Sequence, residues 1–404
     1  MGYNIANLSP RRRIGLNPVT YLNKCSPDDR RSARNLEHRE TLTSASSSHG
    51  MTTGSRVAAV EGSLDPVVMP WGDEALREGC EVVRVADKAP LISVAPMMDW
   101  TDRHDRYFLR LIAPSVLLYT EMITAQALKH GDRDRLLKFD PTEHPCALQL
   151  GGSDPVLLSQ SAKMGEDFGY DEINLNVGCP SPRVSAGRFG ACLMFEPNLV
   201  ADCIAAMQAH VKIPVTVKCR IGVDDQDSYE ALHHFIQLIQ SAGCKTFIIH
   251  ARKAWLKGLS PKENREIPPL HYDVVYRIKQ DFPELIIILN GGLKTTADID
   301  AVLPQVDGVM IGRAAYHQPY LLADIQSRYF QTGTLTRHEV IQRMLPYIEA
   351  EIAAGTRLSS VTRHLLGLFQ GQPRANTWRR FLSENSHLAH AGVDCVRQAL
   401  ELMV

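Results

Sequence analysis

The sequence predicts a (β/α)8 TIM barrel followed by a small all-helical C-terminal domain. Three observations indicate this fold: eight short apolar runs rich in β-branched residues, a helical segment after each run, and the end of the pattern near Tyr329. Near-continuous apolar strands that alternate with helices are typical of a parallel sheet with a covered outer face. Eight such units in about 240 residues match a barrel, and a doubly wound open sheet is the alternative.

The eight runs predict the strands in chain order. They begin 23 to 41 residues apart, which is the length of one strand plus one crossover helix. The predicted strands cover residues 91–96, 115–121, 145–150, 172–176, 213–219, 245–250, 285–290 and 308–312. We therefore expect the barrel over residues 88–330 and the helical domain over residues 335–404, where only helical spacing remains.

Residues 1–87 differ from the rest in composition. They are rich in Ser, Arg, Asp and Gly and show no helical or strand period. Such a segment cannot bury enough apolar surface to offset its ordering entropy. We expect either a disordered extension or a start codon assigned too early, with Met51 as the true first residue. A targeting peptide is the third interpretation, although acidic residues and the lack of an amphipathic face argue against it.

The composition narrows the class of protein. Lys and Arg total 44 against 45 Asp and Glu, so the net charge of −1 excludes a chain that is basic throughout. No segment approaches the roughly 20 consecutive apolar residues of a membrane helix. The nine cysteines form no CxxC pair. We expect a cytoplasmic protein with reduced cysteines, no metal site and no membrane partner.

Polar residues and glycines occur at nearly every predicted strand end. Barrel enzymes carry their chemistry on the loops at the carboxyl ends of the strands, so these residues predict one composite site. Asn290-Gly291-Gly292 and Gly312-Arg313 follow strands seven and eight, where barrels commonly bind phosphate. Glycines let backbone N–H groups approach a phosphate, and Arg313 can pair with it. Lys218, at the end of a buried strand, also favours an anionic ligand.

The segment at 174–182, NLNVGCPSP, is the most informative loop. Two prolines and a glycine restrict its conformation, so we expect Cys179 to be presented at the barrel rim rather than buried as a packing residue. Most of the other cysteines lie in apolar runs and are interpreted as core residues.

These segments resemble the flavin-dependent tRNA-dihydrouridine synthases, in detail their DusA subfamily, over about residues 91–385. The matching motifs are APMMDWTD at 95–102, QLGG at 149–152, NLNVGCPSP at 174–182, FGACLM at 189–194, VKCRIG at 217–222, HAR at 250–252, NGG at 290–292 and GRAA at 312–315. The resemblance implies FMN as cofactor, NADPH as reductant and reduction of D-loop uridines in tRNA, at positions 20 and 20a. It also implies a helical tRNA-binding domain, and we expect a monomer.

The resemblance assigns roles to individual residues. Cys179 would be the catalytic acid that protonates uracil C5 after hydride reaches C6. FMN contacts carry over to Pro96, Met97, Met98, Gln149, Lys218, His250, Asn290, Gly291, Gly292, Gly312 and Arg313. Substrate or tRNA contacts carry over to Asn176, Arg220, Lys262, Arg265, Arg379 and Arg380. Asn376 stands where the family pattern has an arginine, although Arg374, Arg379 and Arg380 are close to it in the sequence.

Two other functions remain open at this point. The same rim chemistry suits an FMN barrel oxidoreductase that acts on a free pyrimidine or another small enone. A tRNA-binding folding chaperone with secondary redox chemistry is the alternative from a different class.

Overall fold

The computed structural model of the protein describes residues 89–403, so the interpretation of residues 1–87 lies outside the described part. Nine strands of this part form one parallel sheet. They are β1 (Leu91–Val94), β2 (Leu118–Tyr119), β3 (Ile123–Thr124), β4 (Cys146–Gly151), β5 (Glu172–Val177), β6 (Val215–Arg220), β7 (Thr246–His250), β8 (Ile286–Asn290) and β9 (Gly308–Ile311). Their order is β1-β9-β8-β7-β6-β5-β4-β2, with β3 paired to β4.

The sheet closes into a barrel between β1 and the start of the second strand unit. The N–H of Val94 donates to the carbonyl of Leu117 at 2.9 Å, and the N–H of Leu117 donates to Ile92 at 3.0 Å. The predicted (β/α)8 barrel is therefore confirmed, and the open-sheet alternative is wrong. Each of the eight predicted runs contains a strand, but the second is shorter than expected. Its pairing with β4 stops at Tyr119 and resumes as β3 at Ile123.

Helices follow the strands on the outside of the barrel. They are α1 (Arg103–Ile112), α2 (Ala125–His130), α3 (Arg133–Leu137), α4 (Pro155–Phe168), α5 (Pro182–Ala186), α6 (Pro197–Gln208), α7 (Tyr229–Ser241), α8 (Tyr272–Asp281), α9 (Thr296–Val302), α10 (Arg313–His317) and α11 (Leu321–Phe330). Polar caps mark several starts; Asp102, for example, accepts the N–H groups of His104 and Asp105 at the start of α1.

Apolar side chains pack on both sides of the strands. Outward-facing residues such as Ile173 and Val217 join the large core between the sheet and the helices. A second, smaller cluster lies inside the barrel and contains Ala95, Tyr119, Ala147, Ile248, Ile288 and Met310. The alternation of strand side chains between two faces separates these layers.

Four further helices complete the described chain: α12 (Arg337–Ala353), α13 (Leu358–Leu365), α14 (Ala375–Asn385) and α15 (Val393–Glu401). Two of them contact α1: Arg363 of α13 pairs with Asp102, the N-cap of α1, at 2.6 Å, and Glu351 of α12 pairs with Arg103. Tyr347 of α12 also stacks on Tyr107. The helical content predicted for this region is present, while its status as a separate tRNA-binding domain stays a prediction.

Candidate active site

The carboxyl ends of the parallel strands bring most predicted site residues to one rim of the barrel. Gln149, Asn176, Lys218, Arg220, His250 and Asn290 lie within the last residues of their strands. The loops that follow the strands carry Met97, Cys179, Gly291 and Gly312. Arg379 and Arg380 are different, because they lie on α14 and not at a strand end.

The glycines after β8 adopt a backbone conformation that other residues rarely accept. Gly291 has φ 117° and Gly292 has φ 77°. A Cβ at Gly292 would come within 2.5 Å of Leu270, and one at Gly291 within 2.8 Å of the His250 ring. The hydroxyl of Tyr272 holds the turn by donating to the carbonyl of Gly291 at 2.6 Å. This turn therefore needs glycine for both its φ values and its close packing.

Gly312, after β9, faces open space. A Cβ built there would meet no atom within 4 Å. The two glycine segments lie on neighbouring strands, since β8 pairs with β9. A bound group could therefore contact backbone at both segments.

Cationic side chains surround this part of the rim. Burial lowers the pKa of Lys218 to about 8, and the charge of Arg220 acts in the same direction. Burial also lowers the pKa of Arg220 to about 10, with repulsion from Arg265 and Arg252. The pKa of His250 lies well below its ordinary value because of burial and the same cations, so this ring is neutral. Such mutual repulsion in partly dry surroundings indicates a site for an anion.

The cations are held in defined positions. The ammonium of Lys218 donates to Oδ1 of Asn290 at 3.0 Å, and Nδ2 of Asn290 donates to the carbonyl of Met310 at 2.7 Å. Arg313 pairs with Glu266 and donates to the carbonyl of Arg265. Its predicted phosphate contact stays a prediction, since these bonds direct the guanidinium toward the loop after β7.

Arg252 follows His250 at the strand end, where the sequence predicts the composite site, but no role was predicted for it. Its guanidinium donates to the carbonyls of Glu266 and Pro268, and its Nε has no hydrogen-bond partner within residues 89–403. The HAR motif carries this residue two positions after His250. A buried Nε without a partner, next to other cations, is a second indication of an anionic ligand.

Cys179 lies in a turn that is fixed on both sides. Oδ1 of Asn176 accepts the N–H of Cys179 at 3.0 Å and the N–H of Gly178 at 3.2 Å. The carbonyl of Cys179 accepts the N–H of Ala191 at 2.9 Å. The residue is partly exposed, as the sequence predicts, and it interacts electrostatically with Lys218 and Arg220. The turn thus presents a free thiol beside the cationic region.

Arg220 braces loops instead of pointing into solvent. Only 3% of the residue is exposed. Its Nε donates to the carbonyl of Gly178 at 2.9 Å, and its Nη1 donates to the carbonyls of Lys253 and Asn264 at 3.0 Å. One guanidinium therefore joins the Cys179 turn to the loop that follows β7, whereas its predicted substrate contact remains a prediction.

The loop after β7 presents the basic pair Lys262 and Arg265. Both residues are exposed; Lys262 precedes a 3-10 turn at Glu263–Arg265, and Arg265 is the last residue of that turn. Asn264 between them is buried and its amide donates to the carbonyl of Trp255 at 2.9 Å. The cations are thereby displayed on an anchored loop.

The loop after β1 adds an apolar edge to the rim. Met98 is 54% exposed. The N–H of Asp99 donates to Glu121 at 2.5 Å, and the N–H of Met97 donates to Oγ1 of Thr101 at 2.9 Å. Trp100 stacks on Tyr316 with ring centroids 4.4 Å apart.

A polar layer beneath the rim was missed by the sequence interpretation. Both ends of the Gln149 amide are bonded to buried asparagines, Asn174 and Asn176, at 2.8 Å. Thr216 and Glu172 continue this layer toward the other end of the barrel. The sequence does contain a pattern that predicts this layer. In Glu172-Ile173-Asn174-Leu175-Asn176 polar and apolar residues alternate, which places three polar side chains on one face of a strand.

Two features are absent from residues 89–403. No group of three or more His, Cys, Asp or Glu side chains there is arranged to hold a metal ion. No helix in the same range is long and apolar enough to cross a bilayer.

Comparison with known proteins places this rim in context. The sequence profile of the family described as Dihydrouridine synthase (Dus) matches residues 93–403. The chain is similar to the tRNA-dihydrouridine(20/20a) synthase of Synechocystis sp., with 60% identity over 312 residues, 77% of this chain and 93% of the relative. It is also similar to proteins of the same name from Vibrio cholerae (59% identity, 76% and 95% covered) and Escherichia coli (57% identity, 77% and 95% covered).

Proposed function

The chain belongs to the dihydrouridine synthase family, and from this premise we propose that it reduces uridine to 5,6-dihydrouridine in tRNA. The proposed positions are 20 and 20a, the numbers in the names of the relatives, and we place them in the D-loop. FMN is the proposed redox cofactor and NADPH the proposed reductant. The observation that carries the proposal is a free thiol, Cys179, in a turn held by hydrogen bonds at the same barrel rim as two glycine segments and several cations.

The residues at the rim fit FMN. Gly292 is exposed and Gly291 and Gly312 are partly exposed, so backbone at both segments could contact a phosphate, and Arg313 and Arg252 would supply positive charge nearby. Lys218, His250, Met97 and Gln149 would hold the ring; Pro96, Met98 and Asn290 complete the proposed contacts. When bound, FMN would take electrons from NADPH and supply hydride to C6 of the uracil.

Cys179 would donate the proton that completes the reduction. A proton must reach C5 of the uracil as hydride reaches C6, and a positioned thiol can act as that general acid. The bonds of the Cys179 backbone to Asn176 and Ala191 restrict where the sulfur can lie. After transfer, the sulfur would lie near the cations Lys218 and Arg220.

Asn176 retains one amide N–H for the target base. Its Oδ1 is used by two backbone donors, and one N–H is used by Gln149. The remaining N–H could bind a uracil carbonyl beside Cys179. A uridine in folded tRNA must leave its stack to reach this depth.

Basic residues would bind the tRNA backbone around the rim. Lys262 and Arg265 are exposed on the anchored loop after β7. Arg379 of α14 is bonded to Gln370 and Asn376, and Arg380 is exposed. Contacts of this kind recognise RNA largely by shape and phosphate position.

The test uses the purified full-length chain and tRNA that lacks dihydrouridine. We expect a flavin absorbance spectrum, its bleaching by NADPH, and dihydrouridine in the tRNA by mass spectrometry. Cys179→Ala should keep flavin and its reduction but form dihydrouridine roughly 10²- to 10⁴-fold more slowly. Cys395→Ala, a partly buried cysteine on α15, is the matched control and should behave as wild type.

Two outcomes contradict this assignment. Full activity in Cys179→Ala would exclude the thiol as acid. Reduction of free uracil or uridine without any activity on tRNA would favour the small-substrate oxidoreductase instead.

A further inference from the structure

A continuous chain of hydrogen bonds runs through the barrel interior from the start of β5 to the Cys179 turn. Four steps join side chains of neighbouring strands, and the fifth joins Asn176 to the backbone N–H of Cys179; the step lengths lie between 2.6 and 3.0 Å. From one end to the other the chain consists of Glu172, Thr216, Asn174, Gln149, Asn176 and the backbone N–H of Cys179.

The upper end of the chain fixes its direction. The N–H groups of Gly178 and Cys179 can only donate, so Asn176 must turn its oxygen toward them. Its nitrogen then faces Gln149, whose oxygen accepts. The same reasoning turns the nitrogen of Gln149 toward Asn174 and the nitrogen of Asn174 toward Thr216.

The lower end requires the same direction. The hydroxyl of Thr216 accepts from Asn174, so its own proton must go to another acceptor. That acceptor is Oε1 of Glu172, at 2.6 Å, which also accepts the hydroxyl of Tyr119 at 2.5 Å. Because Oε1 already receives two protons, any proton bound by this carboxyl would go to Oε2, and Oε1 would remain an acceptor.

Because the amides are buried, the donors and acceptors of this hydrogen-bond chain can reverse only all together. Asn174 is 0% exposed, and Gln149 and Thr216 are each 1% exposed. A buried amide without a partner is costly, so no single amide can rotate alone. Reversal of the whole chain would place an N–H of Asn176 against the N–H of Cys179.

We propose that Glu172 is a positioning residue: through this one-way chain its Oε1 fixes the orientation of Asn176 and hence of the turn that carries Cys179. Glu172 lies at the first residue of β5, at the opposite end of the strand from the rim. The inference rests on the proposed function only for its effect on uridine reduction, since the effect on the turn is measurable without the reaction.

Thr216 offers a sharp test, because packing and hydrogen bonding predict opposite results. Thr216→Val keeps the volume and removes the hydroxyl, whereas Thr216→Ser keeps the hydroxyl and removes a methyl group. We expect Thr216→Val to reduce the single-turnover rate of dihydrouridine formation, per bound flavin, on the order of 10- to 100-fold, the size of a misplacement effect. Thr216→Ser should stay within about twofold of wild type, since the chain is preserved.

Hydrogen exchange provides the second readout. The N–H groups of Gly178 and Cys179 should exchange faster in Thr216→Val than in wild type, and at the wild-type rate in Thr216→Ser. Ser161→Ala removes another buried hydroxyl, one that donates to Leu157 within α4, and should change neither readout.

Glu172 supplies an independent pair of variants if Thr216→Val does not fold. Glu172→Gln keeps an oxygen that accepts from Thr216 and should keep the wild-type rate and the wild-type protection of the turn. Glu172→Leu removes the acceptor and should show the losses expected for Thr216→Val. Wild-type behaviour of Glu172→Gln would show that an acceptor is needed at this position and a negative charge is not.

The outcomes separate this inference from the proposed function. Wild-type rate in Thr216→Val, or equal losses in Thr216→Val and Thr216→Ser, would overturn the positioning role while the enzyme assignment stands. If the wild type forms no dihydrouridine, the proposed function fails. Hydrogen exchange then decides alone, and equal exchange of the turn in Thr216→Val and Thr216→Ser overturns the inference.

Discussion

The two halves of the barrel interior are built from different side chains. On β4, β5 and β6 the inward positions are mostly polar, and polar residues reach down to Glu172 and Thr216. On β7 and β8 the corresponding middle positions are Ile248 and Ile288, and a strongly polar side chain follows only at the last strand residue. We call these the polar half and the apolar half.

The difference indicates that the two halves have different structural roles. The apolar half packs without directional requirements and supports the glycine turns above it. The polar half admits one arrangement of donors and acceptors, and therefore sets the orientation of the Cys179 turn. Lys218 joins the halves, because it leaves β6 and donates to Asn290 on β8.

The largest expected effect is on stability, in the apolar half. Ile248→Ala removes a fully buried side chain from the interior cluster. Deletions of this size lower the free energy of unfolding by about 2–5 kcal/mol, since a cavity remains. Urea unfolding measures this loss, and the rate of uridine reduction per bound flavin should be unchanged in the folded protein. A large fall in that rate would mean that the two halves are not separable.

The next effect is on cofactor binding, where the halves meet. Lys218→Met keeps the length of the side chain but removes its bond to Asn290 and its charge. We expect flavin affinity to fall roughly 10- to 100-fold, the effect of losing a partly buried charged partner. Equilibrium dialysis with FMN measures it, and Ile248→Val, a small change in the apolar half, should bind FMN like wild type. Equal affinities of Lys218→Met and wild type would remove Lys218 from the site.

The layer between strands and helices was predictable, because its apolar runs are continuous in the sequence. All eight predicted runs contain a strand, and the glycine segments at Gly291 and Gly312 lie on neighbouring strands as expected. These features depend on local sequence pattern and on the general geometry of barrels.

The contacts inside the barrel were not predictable from pattern alone. The polar alternation of β5 is visible in the sequence, but the partners of Asn174 depend on strand register, which sets it opposite Gln149 and Thr216. Arg220 shows the same limit. Whether its guanidinium meets a substrate or the carbonyl of Asn264 depends on a loop 44 residues away.

A smaller effect is expected at the loop after β7, which contacts residues from both sides of the barrel rim. Arg220 binds the carbonyl of Asn264 from the polar half, and Arg313, after β9, binds the carbonyl of Arg265. The double change Lys262→Ala and Arg265→Ala should weaken tRNA binding about tenfold and reduce the slope of log Kd against log salt by up to about 2. Filter binding at several salt concentrations measures both.

The control for this change removes equal charge elsewhere. Lys163 on α4 and Arg328 on α11 are exposed and paired with carboxylates on the outer helices. Their double replacement by alanine should leave tRNA affinity and its salt dependence unchanged. If both double variants lose affinity equally, net charge and not the loop would explain the binding.

The smallest effect concerns pH and separates the halves by titration. Burial raises the pKa of Glu172 to about 7. Hydrogen bonds from the hydroxyls of Thr216 and Tyr119 lower this pKa, and the nearby charge of Asp171 raises it further. Because the folded state holds this proton more tightly than the unfolded chain, the contribution of Glu172 to stability is complete below its unfolded pKa. It is lost as pH rises through about 7.

Between pH 6 and 8 the wild type should therefore lose free energy of unfolding more steeply than Glu172→Gln, by at most about 1.4 kcal/mol per pH unit. Ile248→Val, which changes no titrating group, should keep the wild-type slope. Parallel slopes for wild type and Glu172→Gln in urea unfolding would show that the polar half carries no titrating carboxyl in this range.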